Sequence, residues 1–255
     1  PLQALHEAGY PVVCVVTVPD KPAGRGLKLR PSPVKEYALA HSLPVLQPEN
    51  LKEEAFVQAL QGYEPEIGVV VAFRKLPKVV YSIPKLGFFN LHASLLPQYR
   101  GAAPINWAIM NGEKESGVTT FLLSDTIDAG GMLLQSRCTI SQDMTAGELH
   151  DALAVLGAPL VVETVQGLAQ GTLHATEQSV VEPLRPAPKI FRADCKVDWS
   201  QNGEKIHNFI RGLSPYPGAW SILRIGSKEE DVKLFDSFLL PASLRDTSSA
   251  VGSVA

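Results

Sequence analysis

Two valine-rich runs, residues 11–18 and 67–73, are apolar on both faces, and this limits the folds open to the chain more than any other feature. A strand with one face in water alternates apolar and polar residues, whereas a run with no polar face is covered on both sides, as in a parallel sheet flanked by helices. Amphipathic stretches at residues 2–8, 34–40, 53–60 and 105–110 supply the covering helices. Residues 87–91, 118–123 and 132–140 add strands, and residues 146–169 read as one long helix that Gly157 and Pro159 kink or divide. The rhythm predicts an α/β domain with a doubly wound, mostly parallel sheet.

That domain is expected to close at residue 171. Residues 172–190 are rich in proline and polar side chains with no sustained period, the composition of a linker. A second domain is expected over residues 191–255, with Ile206, Phe209, Ile210 and Leu213 at helical spacing and candidate strands at 219–225 and 232–239. The chain opens within a helical pattern that has no N-cap, and two strands with one helix do not close a β domain. The reading is therefore of a chain lacking its first strand and part of its last domain.

At 255 residues, 45% apolar and with a formal charge of −3, the chain has material for two cores and no global basic field. Cys14, Cys138 and Cys195 are odd in number and widely spaced, which fits reduced thiols and offers no metal-binding pattern. The uninterrupted apolar runs are too short to cross a bilayer. A soluble, cytoplasmic protein is expected, monomeric, with no membrane partner and no metal.

The chemistry concentrates where the strand at 87–91 ends. Asn90 and His92 are two apart, so on a strand their side chains leave the same face and address one substrate atom. Leu95, Leu96 and Pro97, then Arg100, Gly101 and Pro104, break the strand before the next helix. Taken singly, such a histidine is structural and such an asparagine a turn former.

His92 opens the pattern His-x-Ser-Leu-Leu-Pro-x-x-x-Gly, here His92, Ser94, Leu95, Leu96, Pro97 and Gly101, which is the signature of enzymes that transfer a formyl group from 10-formyltetrahydrofolate. A second feature narrows the resemblance. Between Asp20 and Glu36 the chain carries Lys21, Arg25, Lys28, Arg30 and Lys35 among prolines and glycines, with no acid between. On charge alone this is a solvated surface, and the glycines are not a P-loop. The stretch nevertheless resembles the insertion with which methionyl-tRNA formyltransferases grip the tRNA acceptor stem. Residues 1–10 look like that family's first helix, and Asp198-Trp199 and residues 215–220 look like its C-terminal domain.

The resemblance implies an N-terminal Rossmann-like domain, a linker and a C-terminal β-barrel of OB-like topology that contacts tRNA. It implies formyl transfer from 10-formyltetrahydrofolate to initiator methionyl-tRNA, with Asn90, His92 and Asp128 as the catalytic trio. Val70, Ala72, Phe73, Ser94, Leu95, Leu96, Pro97, Gly101 and Gly130 are expected around the folate, and the five basic residues on the tRNA. An α-amine with a pKa of about 7.7–8.0 needs no strong base. The larger demand is the oxyanion at the formyl carbon, where one donor is typically worth about 2.7–4 kcal/mol. Asn90 and His92 suit that task, and Asp128 beside His92 would orient its ring.

The chain departs from the family pattern in three places. Gly131 stands where a second acid is usual, Phe73-Arg74-Lys75 replaces a Tyr-Gly step, and the Gly-Thr-Pro turn of the first strand is missing. Two other readings stay open. One is a formyltransferase acting on a sugar nucleotide; the other is a catalytically retired RNA-binding protein.

Overall fold

A computed structural model describes residues 1–23, 28–179 and 182–239, the side chains of residues 22, 23, 28 and 29 excepted. In chain order the elements are α1 (Leu2–Glu7), β1 (Val15–Val16), β2 (Lys21–Ala23), β3 (Lys28–Arg30), α2 (Pro33–Ala40), β4 (Val45–Leu46), α3 (Glu54–Gly62), β5 (Gly68–Val71), α4 (Lys78–Tyr81), β6 (Phe88–His92), α5 (Pro104–Met110), β7 (Glu115–Leu122), β8 (Met132–Thr139), α6 (Ala146–Ala169), α7 (Gly203–Gly212), β9 (Ala219–Ile225) and β10 (Lys228–Leu234). They form two compact units. One comprises Pro1–His92, Thr119–Ser136 and Val155–Gln178, the other Ala93–Val118, Arg137–Ala154 and Ser179–Ala255.

In the first unit β1 pairs with β4 in parallel, and β5 pairs with β6 in parallel. Residues 68–71, 88–92, 119–122 and 132–136 carry the order β5-β6-β7-β8 of a four-stranded sheet, and α2, α3 and residues 155–169 of α6 supply helices of the Rossmann-like arrangement. Its cores gather Phe56, Val57, Leu60, Val70 and Val80 in one cluster and Phe89, Leu133, Val161 and Val165 in another. The sheet is less parallel than expected, because β6 and β7 run antiparallel.

The run at 11–18 yields only two ladder residues. Its partner β4 lies between Pro44 and Pro48, which donate nothing to a ladder, and Val13 is left exposed. The helix at 146–169 runs continuously through Gly157 and Pro159, so it is not divided there. By length and composition alone it is also apolar enough to cross a bilayer. Leu149, Leu153, Leu160, Val161, Thr164 and Val165 are buried along it, while Val155 is exposed.

The second unit holds its own core of Cys195, Val197, Ile210, Leu213 and Ala219. β9 and β10 form an antiparallel hairpin whose Ile225 pairs with Lys228 across Gly226, at φ 61°, and Ser227. Hence β10 begins four residues before the expected strand at 232. Its charged first half is exposed, so no apolar pattern was needed there.

Candidate active site

Asn90 and His92 close β6, and their partners across the sheet are Val70 of β5 for Asn90 and Phe121 and Thr119 of β7 for Asn90 and His92 respectively. The intervening Leu91 leaves the opposite face and meets α6 at Gly157. His92 is 6% exposed, with its ring edge-on to Phe121 at 6.4 Å between centroids. Its Nδ1 lies 4.0 Å from Asp128 Oδ2. That is ion-pair spacing, longer than a hydrogen bond, as is common in catalytic pairs before substrate binds.

The Oδ1 of Asn90 is buried and has no hydrogen-bond partner among the described residues. Such an atom costs about 1–3 kcal/mol, which a substrate group can recover. Rotating the amide exchanges this acceptor for an NH2 donor. The two side chains thus present hydrogen-bonding groups from one face of one strand, and a carboxylate faces the second.

Asp128 reaches His92 from the loop after β7, and its φ of 51° is left-handed, a conformation aspartate tolerates better than most residues. Gly130 has to lack a side chain, since a Cβ would fall 1.7 Å from the Leu122 carbonyl oxygen. Leu122 N donates to Gly131 O at 2.9 Å, and Gln178 Nε2 donates to the carbonyls of Asp128 and Gly130, each at 2.8 Å. At the loop's start the Tyr81 hydroxyl donates to Asp125, and that bond is the leading cause of a raised Tyr81 phenol pKa. Gln178 and Tyr81 were not foreseen; each carries no signal beyond its own polarity, and only folding brings it to the loop.

Of the residues expected at the folate, Val70 is buried in the core and Phe73 is partly buried against it. Ala72 is exposed and left-handed, at φ 47°. Arg74 lies over the Phe73 ring and donates to the carbonyls of Pro48 and Glu49. In the second unit Ser94 is buried, donating its hydroxyl to Gln98 O at 2.7 Å, and Leu96 is buried. Leu95 and Pro97 are half-buried. Gly101, at φ 129°, faces the Ala187 carbonyl. Ser94, Leu96 and Gly101 therefore build their loop.

The basic stretch is bounded by two short strands. Its ends pair as β2 and β3, with Lys21 opposite Arg30, both exposed, and Lys28 within β3. Arg25 lies outside the described residues. Lys35 is ion-paired, its Nζ donating to Asp20 Oδ2 at 2.7 Å. Gln47 Nε2 also donates to Asp20, and these bonds, Lys35 first, hold the Asp20 carboxyl below its ordinary value. That acid lies one residue before Lys21. Among the described residues no three His, Cys, Asp or Glu side chains converge in a way that could hold a metal ion.

A family model described as formyl transferase matches residues 2–165, and one described as formyl transferase, C-terminal domain, matches residues 189–254. The chain is 53% identical over 244 residues to a methionyl-tRNA formyltransferase of Bacteroides fragilis (strain YCH46), covering 94% of this chain and 75% of the relative. It is 49% identical over 239 residues to that of Flavobacterium johnsoniae, covering 94% and 76%. Among solved structures, HypX from Aquifex aeolicus in complex with tetrahydrofolic acid aligns with a TM-score of 0.59 at 21% identity, over 72% of this chain and 32% of that one. An N-formyltransferase from Helicobacter canadensis in complex with folinic acid and dTDP-3-aminofucose aligns with a TM-score of 0.61 at 22% identity, over 83% and 75%. The solved structures support the fold, and the family matches and close relatives support the lineage: the chain belongs to the formyl transferase family, within its methionyl-tRNA formyltransferases.

Proposed function

We propose that this chain transfers the formyl group of 10-formyltetrahydrofolate to the α-amino group of initiator methionyl-tRNA, with Asn90, His92 and Asp128 carrying the reaction. The observation that bears most weight is the buried, unpartnered amide oxygen of Asn90, two residues before a buried histidine that faces an aspartate. The folate supplies the formyl carbon. Asn90 offers its amide to the formyl oxygen or to the incoming amine, and His92 donates to the oxygen as charge develops there and passes on the amine's proton. Asp128 holds the imidazole in one orientation. Backbone groups of residues 70–73 and 126–130, with the 94–101 loop, are assigned to the folate.

On this reading residues 1–171 form the catalytic domain, 172–190 the linker and 191–255 an OB-like domain that contacts tRNA. The interval between the two family matches, residues 166–188, supports that division. Lys21, Arg25, Lys28 and Arg30 are assigned to the acceptor stem, Lys35 acting behind Asp20. The enzyme is placed in the cytoplasm, as a monomer away from membranes. The sugar-nucleotide alternative rests on solved structures below 25% identity, and nothing in that reading calls for a basic hairpin.

A single-turnover assay with labelled 10-formyltetrahydrofolate tests the proposal, offering methionyl-tRNA and an amino-sugar nucleotide side by side. Formyl-methionyl-tRNA is the expected product. Transfer to the sugar nucleotide alone would overturn it.

A further inference from the structure

Part of the stretch that reads as a linker is bonded residue by residue to the loop that follows His92. Tyr99 N donates to Arg185 O at 2.7 Å, Ala187 N to Arg100 O at 2.9 Å, and Ala103 N to Ala187 O at 3.1 Å. Arg185 N donates to Gln98 Oε1 at 2.7 Å, and Gln98 Nε2 to Pro183 O at 3.2 Å. A charged knot completes the set. The Glu113 carboxylate accepts from both the Tyr99 hydroxyl and the Arg185 guanidinium, while Asn111 Nδ2 donates to the same hydroxyl at 3.2 Å.

The bonded positions are those the loop could least hold by itself. Tyr99 has φ 60°, unfavourable for a bulky residue, and is only 6% exposed. A Cβ at Gly101 would fall 2.4 Å from the Ala187 oxygen, a backbone atom that cannot swing aside. Loop and linker segment are shaped against each other. Beside them lies a cavity of about 350 Å³ lined by Leu95, Gln98, Tyr99, Glu113, Pro183 and Arg185. It gives the loop room to relax if the knot is cut.

We propose that residues 183–187 are a strap that holds the loop after His92 in its working conformation, with Arg185 as the positioning residue. The inference rests on the formyl-transfer reading above. The loop begins at the residue after His92 and carries Ser94 to Pro97, so relaxation at Tyr99 and Gly101 displaces groups assigned to the folate. Reactivity is sensitive to such displacements, and a shift of about 1 Å can cost a hundredfold.

The test uses the full chain. Arg185→Ala is expected to lower kcat for formyl transfer about tenfold with the KM for methionyl-tRNA changed less than about twofold, while Arg185→Lys, which keeps a cation for Glu113, stays within about threefold of the parent. Amide hydrogen exchange at Tyr99, Ala103 and Ala187, read without substrate, should accelerate in Arg185→Ala and be restored in Arg185→Lys. Exchange does not depend on any substrate, so it tests the strap even if His92→Ala were to leave transfer intact and the activity reading fell. Unchanged exchange in Arg185→Ala, or faster exchange with unchanged kcat, overturns the proposal. So does a lysine variant as impaired as the alanine one.

Discussion

Leu91 Cδ2 lies 2.7 Å from the point where a Cβ on Gly157 would stand, so the residue between Asn90 and His92 dictates what α6 carries at its middle. Gly157→Ala requires only that the flexible end of Leu91 turn, and the helix gains up to about 1 kcal/mol in propensity, so its stability should stay within about 1 kcal/mol of the parent. Gly157→Leu overpacks the contact and should cost about 1–3 kcal/mol, with a lower kcat because β6 must move. Urea unfolding midpoints and single-turnover rates read both effects. A leucine variant as stable and active as the parent would show that the contact carries no constraint.

The trio should act as a unit. His92→Ala and Asp128→Ala are each expected to lower kcat by about a hundredfold or more, and the double variant by little beyond either. Asp128→Asn separates charge from backbone, because asparagine also accepts the φ of 51°. It should retain the melting temperature while losing most of the rate. His92→Ala within a few-fold of the parent would sink the assignment.

The two glycines after Asp128 predict different outcomes. A side chain at Gly130 meets the Leu122 backbone carbonyl, so Gly130→Ala should distort the loop and lower both stability and kcat. At Gly131 a Cβ would meet the Ala175 methyl at 2.9 Å, a smaller conflict, and Gly131→Asp should raise the KM for formyl-folate more than that for tRNA. Steady-state kinetics with each substrate varied in turn decide it; an unchanged folate KM removes Gly131 from the folate loop.

Charges on the β2–β3 hairpin should count unequally. Each phosphate contact releases about one counterion, so Lys28→Ala or Arg30→Ala should make the salt dependence of tRNA binding shallower by about one unit. Lys35→Ala should change it less, since Asp20 already neutralises that ammonium. Asp20→Asn should tighten tRNA binding and steepen the slope by freeing Lys35. Arg25→Ala is expected to blur the distinction between initiator and elongator tRNA. Equal slopes across all these variants, measured by filter binding over a salt series, would reduce the hairpin to solvated surface.

The start of α6 is held by Thr145 and Glu148. Glu148 N donates to Thr145 Oγ1 at 3.2 Å, and Thr145 N donates to Glu148 Oε2 at 2.7 Å. Thr145→Ala should cost about 1 kcal/mol. The Thr145 N–H is the first cause of a lowered Glu148 pKa, so the carboxylate's contribution is fully present above the ordinary glutamate value of about 4.3 and is lost as the pH falls through its lower folded value. The stability gap between parent and Glu148→Gln should therefore narrow on acidification through that range. A gap independent of pH would contradict it.

The sequence by itself determined the alternation of apolar runs and helices, the strand that ends in Asn90 and His92, and the signature that follows. These are local patterns, set by side-chain period and by the glycines and prolines that interrupt it. The short β4 and α4 escaped notice, because two or four residues carry too little periodicity to declare themselves. Only the tertiary structure decided that β6 and β7 run antiparallel, that Asp20 takes Lys35 away from the basic stretch, and that Gln178 holds the Asp128 loop. It also decided why α6 carries Gly157 and why the signature ends on Gly101: each glycine answers an atom far away in the chain, Leu91 Cδ2 in one case and the Ala187 oxygen in the other. Residues distant in sequence meet only through folding, and nothing in the spacing of neighbours along the chain records which of them will touch.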